Sequence, residues 1–394
     1  RDMQNLLLSE LISALSPLPP TVTASAVLVE NGGGAVRGYI GNAREGMPTD
    51  ASWVDCASSP RSPGSALKPF IYALAFESGG LTPSTMIPDS PLSMKGAAPR
   101  NYDRHYRGPV TVRTALADSL NIAAVRTLHI EGGRRTIDLY RRLGFSHFTK
   151  DADWYGDSLA LGGCEVTPLE LAEAYRTLAD GGISTPLKWT EGASQTKGER
   201  VISRAACALV LDILKDTRRL LPLYSELFGE DGTVIAFKTG TSYGLRDAWT
   251  AAVTKKYTLI VWFGDPNGRP HPQLIGLKTA APVAVRVMRK LSPIGTKWFD
   301  LPEGVGKRKV CALSGAPENP LCPASVTDFY IKNISSNEPC ALHISENGHT
   351  AVRWPPELEG FFSIGGTEKA AMEIEIISPR RNAWINSSSR HWKA

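Results

Sequence analysis

Strand-like runs stand at both ends of one long stretch of this chain, with helical sequence between them. At the near end, residues 25–30 and 35–40 flank Gly32-Gly33-Gly34 and read as a β-hairpin. At the far end, 233–242, 248–253 and 258–263 are three apolar, β-rich runs joined by short turns, an antiparallel meander closed by a helix over 281–291. A two-stranded hairpin is marginal by itself, and joining the meander in one sheet solves the problem. The helices between them then pack on its faces. The expected fold is α/β, an antiparallel sheet sandwiched by helices whose sheet joins both ends of the domain.

The intervening helices are read at 65–78, ended by Gly79-Gly80, and at 111–125, where Thr111, Ala115, Ser119 and Ile122 share a face and a break falls near Leu120. Others follow at 136–143, 168–179 and 204–214. The stretch between 80 and 109, with Pro83, Pro88, Pro91 and Pro99, reads as loop. Residues 1–21, a short Leu6 to Leu15 helix stopped by Pro17, Pro19 and Pro20, read as a linker remnant. From about 295 the texture changes to Pro, Gly, Asn and Ser, with short β-like runs at 328–331, 340–344, 350–354 and 372–377. The division expected is a main domain over 22–295 and a small β-rich C-terminal module over 296–394.

Charge excludes one class of function. A net charge of +5, from 44 basic and 39 acidic residues spread along the chain, gives no basic stripe for nucleic acid. There is no run of eighteen apolar residues. The seven histidines form no His-x-x-x-His or His-Glu pair, so neither a catalytic metal nor a cofactor is expected. Of six cysteines, Cys56, Cys164 and Cys207 read as small buried apolar residues, whereas Cys311, Cys322 and Cys340 crowd into thirty residues near the end.

The chemistry begins at Arg61-Ser62-Pro63-Gly64-Ser65-Ala66-Leu67-Lys68-Pro69-Phe70. A Pro-Gly turn delivers Ser65 onto the first turn of an apolar helix, with Lys68 three residues later on the same face. A serine hydroxyl needs a base to become a nucleophile, and a lysine serves when burial or a nearby cation keeps it neutral. Ser-x-x-Lys alone is weak: Ser194-Gln195-Thr196-Lys197 repeats it in a polar loop, and the plain reading of Ser65 is a helix cap. Two later motifs change the balance. Ser119-Leu120-Asn121 offers a second hydroxyl and an amide, and Lys238-Thr239-Gly240 offers, on a strand, a cation, a hydroxyl and a glycine for close backbone approach. Three motifs in this order, spaced by 54 and 119 residues on suitable elements, rarely coincide by accident.

With 161–172 (Leu161-Gly162-Gly163-Cys164-Glu165-Val166-Thr167-Pro168) and 238–249 (Lys238-Thr239-Gly240-Thr241-Ser242-Tyr243-Gly244-Leu245-Arg246-Asp247-Ala248-Trp249), the chain resembles the penicilloyl serine transferases over about 22–292. It is most similar to the transpeptidase domain of class A penicillin-binding proteins and, in the 243–249 run and the cysteine-bearing tail, to their 1C group. The resemblance implies a peptidoglycan D,D-transpeptidase with Ser65 as nucleophile, Lys68 as base, Ser119 as proton relay and Lys238 as the cation lowering the pKa of Lys68. Asn121, Thr239, Gly240 and Thr241 would bind substrate, the N–H groups of Ser65 and Thr241 forming an oxyanion hole and the threonines holding a terminal carboxylate. Stem peptides and β-lactams are the implied ligands, and cell-wall synthesis proteins the implied partners of the C-terminal module. The implied home is periplasmic, with an inner-membrane anchor and a glycosyltransferase domain upstream of this chain. A D,D-carboxypeptidase or β-lactamase-like hydrolase uses the same residues, as does a penicillin-binding sensor or scaffold without turnover. Cys311 and Cys322 would form a disulfide in that oxidising compartment, while Cys340 and His343 leave open a Cys3His zinc site. Arg246, Asp247 and Trp249 read equally as a buried ion pair or as substrate contacts.

Overall fold

The computed structural model describes residues 1–47, 51–92, 99–192, 196–216, 233–292 and 295–364. In chain order these form α1 (Asp2–Leu15), β1 (Thr23–Glu30), β2 (Val36–Ile40), a 3-10 turn at Gly64–Leu67 running into α2 (Lys68–Ser78), β3 (Met86–Asp89) and β4 (Gly108–Thr111). Then come α3 (Val112–Ala117), α4 (Asn121–Glu131), α5 (Gly133–Arg142), α6 (Ala152–Tyr155), α7 (Ser158–Leu161), α8 (Pro168–Ala179), β5 (Ile183–Ser184), β6 (Glu199–Arg200) and α9 (Arg204–Leu214). The main sheet is completed by β7 (Ala236–Thr241), β8 (Asp247–Val253) and β9 (Tyr257–Gly264), followed by α10 (Ala280–Leu291). The tail contributes β10 (Val305–Cys311), β11 (Ser325–Ile331), β12 (His343–Glu346), β13 (His349–Val352) and α11 (Pro356–Ile364).

Strands in the order β2-β1-β9-β8-β7 make one antiparallel sheet. Hairpin and meander meet between β1 and β9, where Val27 stands opposite Ile260. Side chains alternate between two cores. Val27, Val29, Trp249, Ala251, Val253, Ile260 and Trp262 face a large helical core, and Ala26, Leu28, Ala248, Ala252, Leu259 and Val261 face a second one. Both faces are covered, which is why these strands read as unbroken apolar runs.

The large core surrounds α2, whose side chains from Lys68 to Phe76 are all buried. A helix apolar on every side has to be central. Gly79, at φ +82, ends it in the left-handed conformation that glycine adopts without strain. α8 lies on the sheet and starts at a capping box, the Thr167 hydroxyl accepting from the Glu170 N–H and the Glu170 carboxylate accepting from the Thr167 N–H.

The second core is closed by α1 and α10. Leu7, Leu11 and Leu15 are buried there with Val283 and Val287, and Glu10 reaches Arg286 at 2.8 Å and Lys290 at 2.6 Å. The helix expected to be a linker remnant is therefore part of the sandwich. Its leucines recur every four residues on one helical face, and that face needs a partner.

Other expectations are corrected. Thr111 caps α3 by accepting from the Thr114 N–H, and Ser119 sits in the break before α4, so no continuous face runs from 111 to 122. Within the stretch read as loop, β3 and β4 pair antiparallel. In the tail, β10 and α11 stand where no strand or helix is expected. The run at 372–377 and the serine of the 194–197 motif lie outside the described residues. The tail folds back on the main domain: Ile331 enters the large core, Met86 N–H donates to the Ser314 carbonyl at 2.9 Å, and Ser84 N–H donates to Asp328 at 3.0 Å.

Candidate active site

Three distant stretches meet at one point. Arg61 and Val166 exchange backbone hydrogen bonds at 2.9 and 3.0 Å, and the Ser62 hydroxyl donates to the Gly162 carbonyl at 2.7 Å. The Trp249 indole N–H donates to the Ser62 carbonyl at 2.8 Å, and the Arg61 guanidinium lies 5.6 Å from the centre of the Trp262 ring. Gly64, at φ +52, is pressed between Thr241 and Gly162; a Cβ there would overlap the Thr241 carbonyl and lie 3.0 Å from its nitrogen. These contacts set the turn that carries Ser65 against the end of β7. Ser65 is half-buried in the 3-10 turn, and its carbonyl accepts the backbone N–H of Lys68.

Lys68 opens α2 and is wholly buried. Its Nζ donates to the Ser119 carbonyl at 2.7 Å, the Leu120 carbonyl at 3.2 Å and Asn121 Oδ1 at 2.6 Å. Burial, then the positive charge of Lys238, pull its pKa well below that of an ordinary lysine, and the Asp89 carboxylate pulls part of the way back. Three oxygen acceptors would suit an ammonium, and complete desolvation opposes one. A neutral amine keeps two of the three bonds and frees a lone pair for the serine one turn earlier.

Lys238, buried on β7, donates to the Ser119 hydroxyl at 2.7 Å and to the Thr239 carbonyl at 2.8 Å. Ser119 thus sits between the two amines, its carbonyl on Lys68 and its hydroxyl on Lys238. It does so at φ +61, a conformation uncommon for serine and often found where a site holds a residue under strain. Asn121, first residue of α4, accepts from Lys68 through Oδ1 and donates through Nδ2 to the Arg100 carbonyl at 2.7 Å. Of the eight residues singled out from the sequence, Lys68, Ser119, Asn121 and Lys238 form one hydrogen-bonded cluster. Ser65, Thr239, Gly240 and Thr241 adjoin it along the turn and β7. The Thr241 hydroxyl accepts from the Gly276 N–H at 3.0 Å. Gly240 corrects one expectation: the space its missing Cβ leaves is filled by the turn, with Pro63 O in overlap and Ala66 N at 3.2 Å, so β7 needs glycine there to seat Ser65.

The sequence did not reveal the support behind the cluster. The Asp89 carboxylate, fully buried, accepts both oxygens' worth of contact from Asn101 Nδ2 at 2.8 and 2.9 Å and a further bond from the Arg107 N–H at 3.0 Å. Asn101 Oδ1 accepts the Asn121 N–H at 2.8 Å and so fixes the start of α4. Asp89 and Asn101 lie in the stretch read as loop and belong to no motif. In the 246–249 run, Asp247 and Trp249 are buried parts of the scaffold. Arg246 is exposed, and Asp247 is buried with its Oδ1 accepting from the Trp262 indole N–H at 3.0 Å. Three clefts of about 350, 410 and 630 Å³ lie elsewhere on the described surface, and none is lined by these residues.

Residues 24–288 match the family described as the penicillin binding protein transpeptidase domain. Penicillin-binding protein 1C of Escherichia coli K12 is 31% identical over 275 residues, 68% of this chain and 34% of that protein. Penicillin-binding protein 1A of Neisseria cinerea is 30% identical over 311 residues, 73% of this chain and 38% of that protein. This chain spans little more than a third of the length of these relatives. Penicillin-binding protein 1A from Haemophilus influenzae superposes with a TM-score of 0.69 at 24% identity, covering 81% of this chain and 55% of that one. PonA1 from Mycobacterium tuberculosis, solved with penicillin V, gives 0.65 at 22% identity over 76% and 85%. At those identities the two structures show the fold. With the match across 24–288, the chain belongs to the penicillin-binding protein transpeptidase family.

Proposed function

We propose that this chain is a peptidoglycan D,D-transpeptidase that works through an acyl-enzyme on Ser65. The observation that carries the reading is the placement of a wholly buried Lys68 one helical turn from Ser65 and joined through Ser119 to Lys238. In the first half-reaction the Ser65 hydroxyl attacks the carbonyl of the penultimate D-Ala of a stem peptide, and its proton goes to Lys68. The tetrahedral oxyanion falls to the N–H groups of Ser65 and Thr241, a pairing supported by the close packing of Gly64 on the Thr241 backbone. Ser119 passes a proton to the departing amine, the C–N bond breaks, and D-Ala leaves. In the second half-reaction an amine of another stem attacks the ester, loses its proton to the same relay, and frees Ser65. Asn121 holds the donor peptide, and Thr239 and Thr241 take its terminal carboxylate beside Lys238.

A β-lactam presents the same carbonyl and carboxylate, and its opened ring stays tethered, so the reaction stops at the acyl stage. The site belongs outside the cytoplasmic membrane, where the stems are, and the tail over 296–394 is an accessory module beside it. Intact-mass spectrometry after incubation with a penicillin tests the first step: an adduct on the Ser65 peptide is expected, and none on Ser65→Ala. Supplying donor and acceptor stems tests the second. Crosslinked product supports transpeptidation, whereas shortened stems without crosslinks would make the chain a carboxypeptidase, and a stable adduct with no product of either kind a sensor.

A further inference from the structure

Four side chains of the tail converge outside the active site. Cys311 ends β10, Cys322 and Cys340 lie in loops, and His343 begins β12. Their ligand atoms all lie within 4.8 Å of one another, and His343 Nδ1 is 3.4 Å from both Cys311 Sγ and Cys340 Sγ. We propose that these four residues bind one structural zinc ion.

Geometry comes first. Zinc–sulfur bonds of about 2.3 Å and zinc–nitrogen bonds of about 2.0 to 2.1 Å at tetrahedral angles place sulfurs ~3.8 Å apart and sulfur and nitrogen ~3.6 Å apart. The two sulfur–nitrogen distances of 3.4 Å match that size, the 4.8 Å bound on the whole set leaves about an ångström of contraction for the ion to draw in, and all three cysteines are free thiols. A disulfide between Cys311 and Cys322 would use two of the four groups and leave a buried thiol and a buried imidazole facing it. Three sulfurs and one imidazole nitrogen form a donor set that selects zinc, and four protein ligands close the coordination sphere, which makes the site structural. Binding forms three Zn–S bonds and one Zn–N bond and releases the three thiol protons, with no change of oxidation state.

Backbone N–H groups and one amide side chain hold the loops that carry the sulfurs. The Ser314 N–H points to Cys311 Sγ at 3.5 Å, and the Asn319 N–H to Cys322 Sγ at 3.4 Å. The Asn319 side chain donates to the carbonyls of Cys340 at 2.6 Å and His343 at 3.2 Å, tying the Cys322 loop to the turn that carries the other two ligands. Cys311, Cys340 and His343 are buried, and the partly exposed Cys322 leaves a way in.

Among its described residues the tail has little else to hold it together. Between 305 and 353 the buried apolar side chains among the described residues are Val310, Cys311, Ile331 and Cys340, and two of those are proposed ligands. Two pairs of short strands with so small a core fall below what hydrophobic burial alone stabilises. A metal joining β10, the 322 loop and β12 supplies the missing crosslink. It also fixes the 311–315 turn, whose Ser314 carbonyl accepts from Met86 and whose Gly315 packs against the Ser84 carbonyl, and so seats the tail on the main domain.

The test uses the full chain. Elemental analysis is expected to find one zinc per molecule, and Co2+ exchanged into the site should give the ligand-field and thiolate charge-transfer bands of a tetrahedral sulfur-rich centre. His343→Ala and Cys340→Ser should each lose the stoichiometric metal while Ser65 still accepts penicillin, which shows that the main domain of each variant is folded. Failure to take up zinc on reconstitution would overturn the proposal. So would a native mass lower by two hydrogens, mapping to a Cys311–Cys322 disulfide, or zinc retained in both variants.

Discussion

Replacing Lys238 with Met asks whether this cation sets the proton affinity of Lys68. Ser119 bonds to both amines, each at 2.7 Å, so the two nitrogens stand one serine apart. Like charges this close in a buried site repel by an amount on the order of a few kcal/mol at an effective dielectric of about 20, so the cation at Lys238 disfavours a proton on Lys68. Burial, the larger cause of the depression, is kept in the variant, so the pKa of Lys68 rises without returning to that of a free lysine. The sign follows from which form reacts. The neutral amine is the base, so acylation climbs as pH rises through the pKa of Lys68 and is flat above it. Raising that pKa moves the climbing limb to higher pH, and on the limb acylation at fixed pH slows by roughly tenfold for each unit the limb moves. Loss of Lys238 as a substrate contact would lower the plateau without displacing the limb. Second-order acylation by a fluorescent penicillin, followed across the pH range for both proteins, separates the two effects. A limb that stays in place or moves to lower pH would refute the electrostatic role given to Lys238.

Three further outcomes are expected. Gly64→Ala puts a methyl group into the Thr241 backbone at φ +52, so acylation should fall more than tenfold with far-ultraviolet circular dichroism unchanged. Trp249→Phe keeps an aromatic ring in the core, removes the indole N–H that serves the Ser62 carbonyl and leaves part of the indole volume empty. Denaturant unfolding should show a loss of about 1–3 kcal/mol, together with slower acylation. Leu11→Ala opens a cavity between α1 and α10 and should lower stability by about 2–5 kcal/mol in the same assay, whereas a change near zero would mean that α1 is not part of the cooperative unit.

How far the fold could be read depended on whether each element announced itself locally. The main strands did, because burial on both faces leaves apolar runs long enough to recognise, and α8 did, because Thr167, Pro168 and Glu170 spell out its start. β3 and β4 did not. Each carries a proline, and Pro88 stands opposite Pro109, so both look like loop by any strand propensity. A pair with two free edges tolerates them, since a proline there can turn its missing donor away from the ladder. The N-terminal helix was legible as a helix but not as part of the domain: the prolines after it mark a boundary in the chain, and only the packing of Leu7, Leu11 and Leu15 shows that the boundary lies inside the domain.

The site divides the same way. Ser65 with Lys68, Ser119 with Asn121, and Lys238 with Thr239 are each close in sequence, so each pair is visible as a motif. Asp89 and Asn101 act on Asn121 and Lys68 only through contacts made after folding, and no spacing marks them. Ser119 shows where local preference and chemistry part company. Glycine or asparagine would fill the left-handed turn before α4 with less strain, yet neither has a hydroxyl to place on Lys238 while its own carbonyl receives Lys68. A position that breaks a backbone rule and satisfies two buried amines is held there by the pair of bonds, and the relay role proposed for Ser119 explains why a less strained residue would not serve.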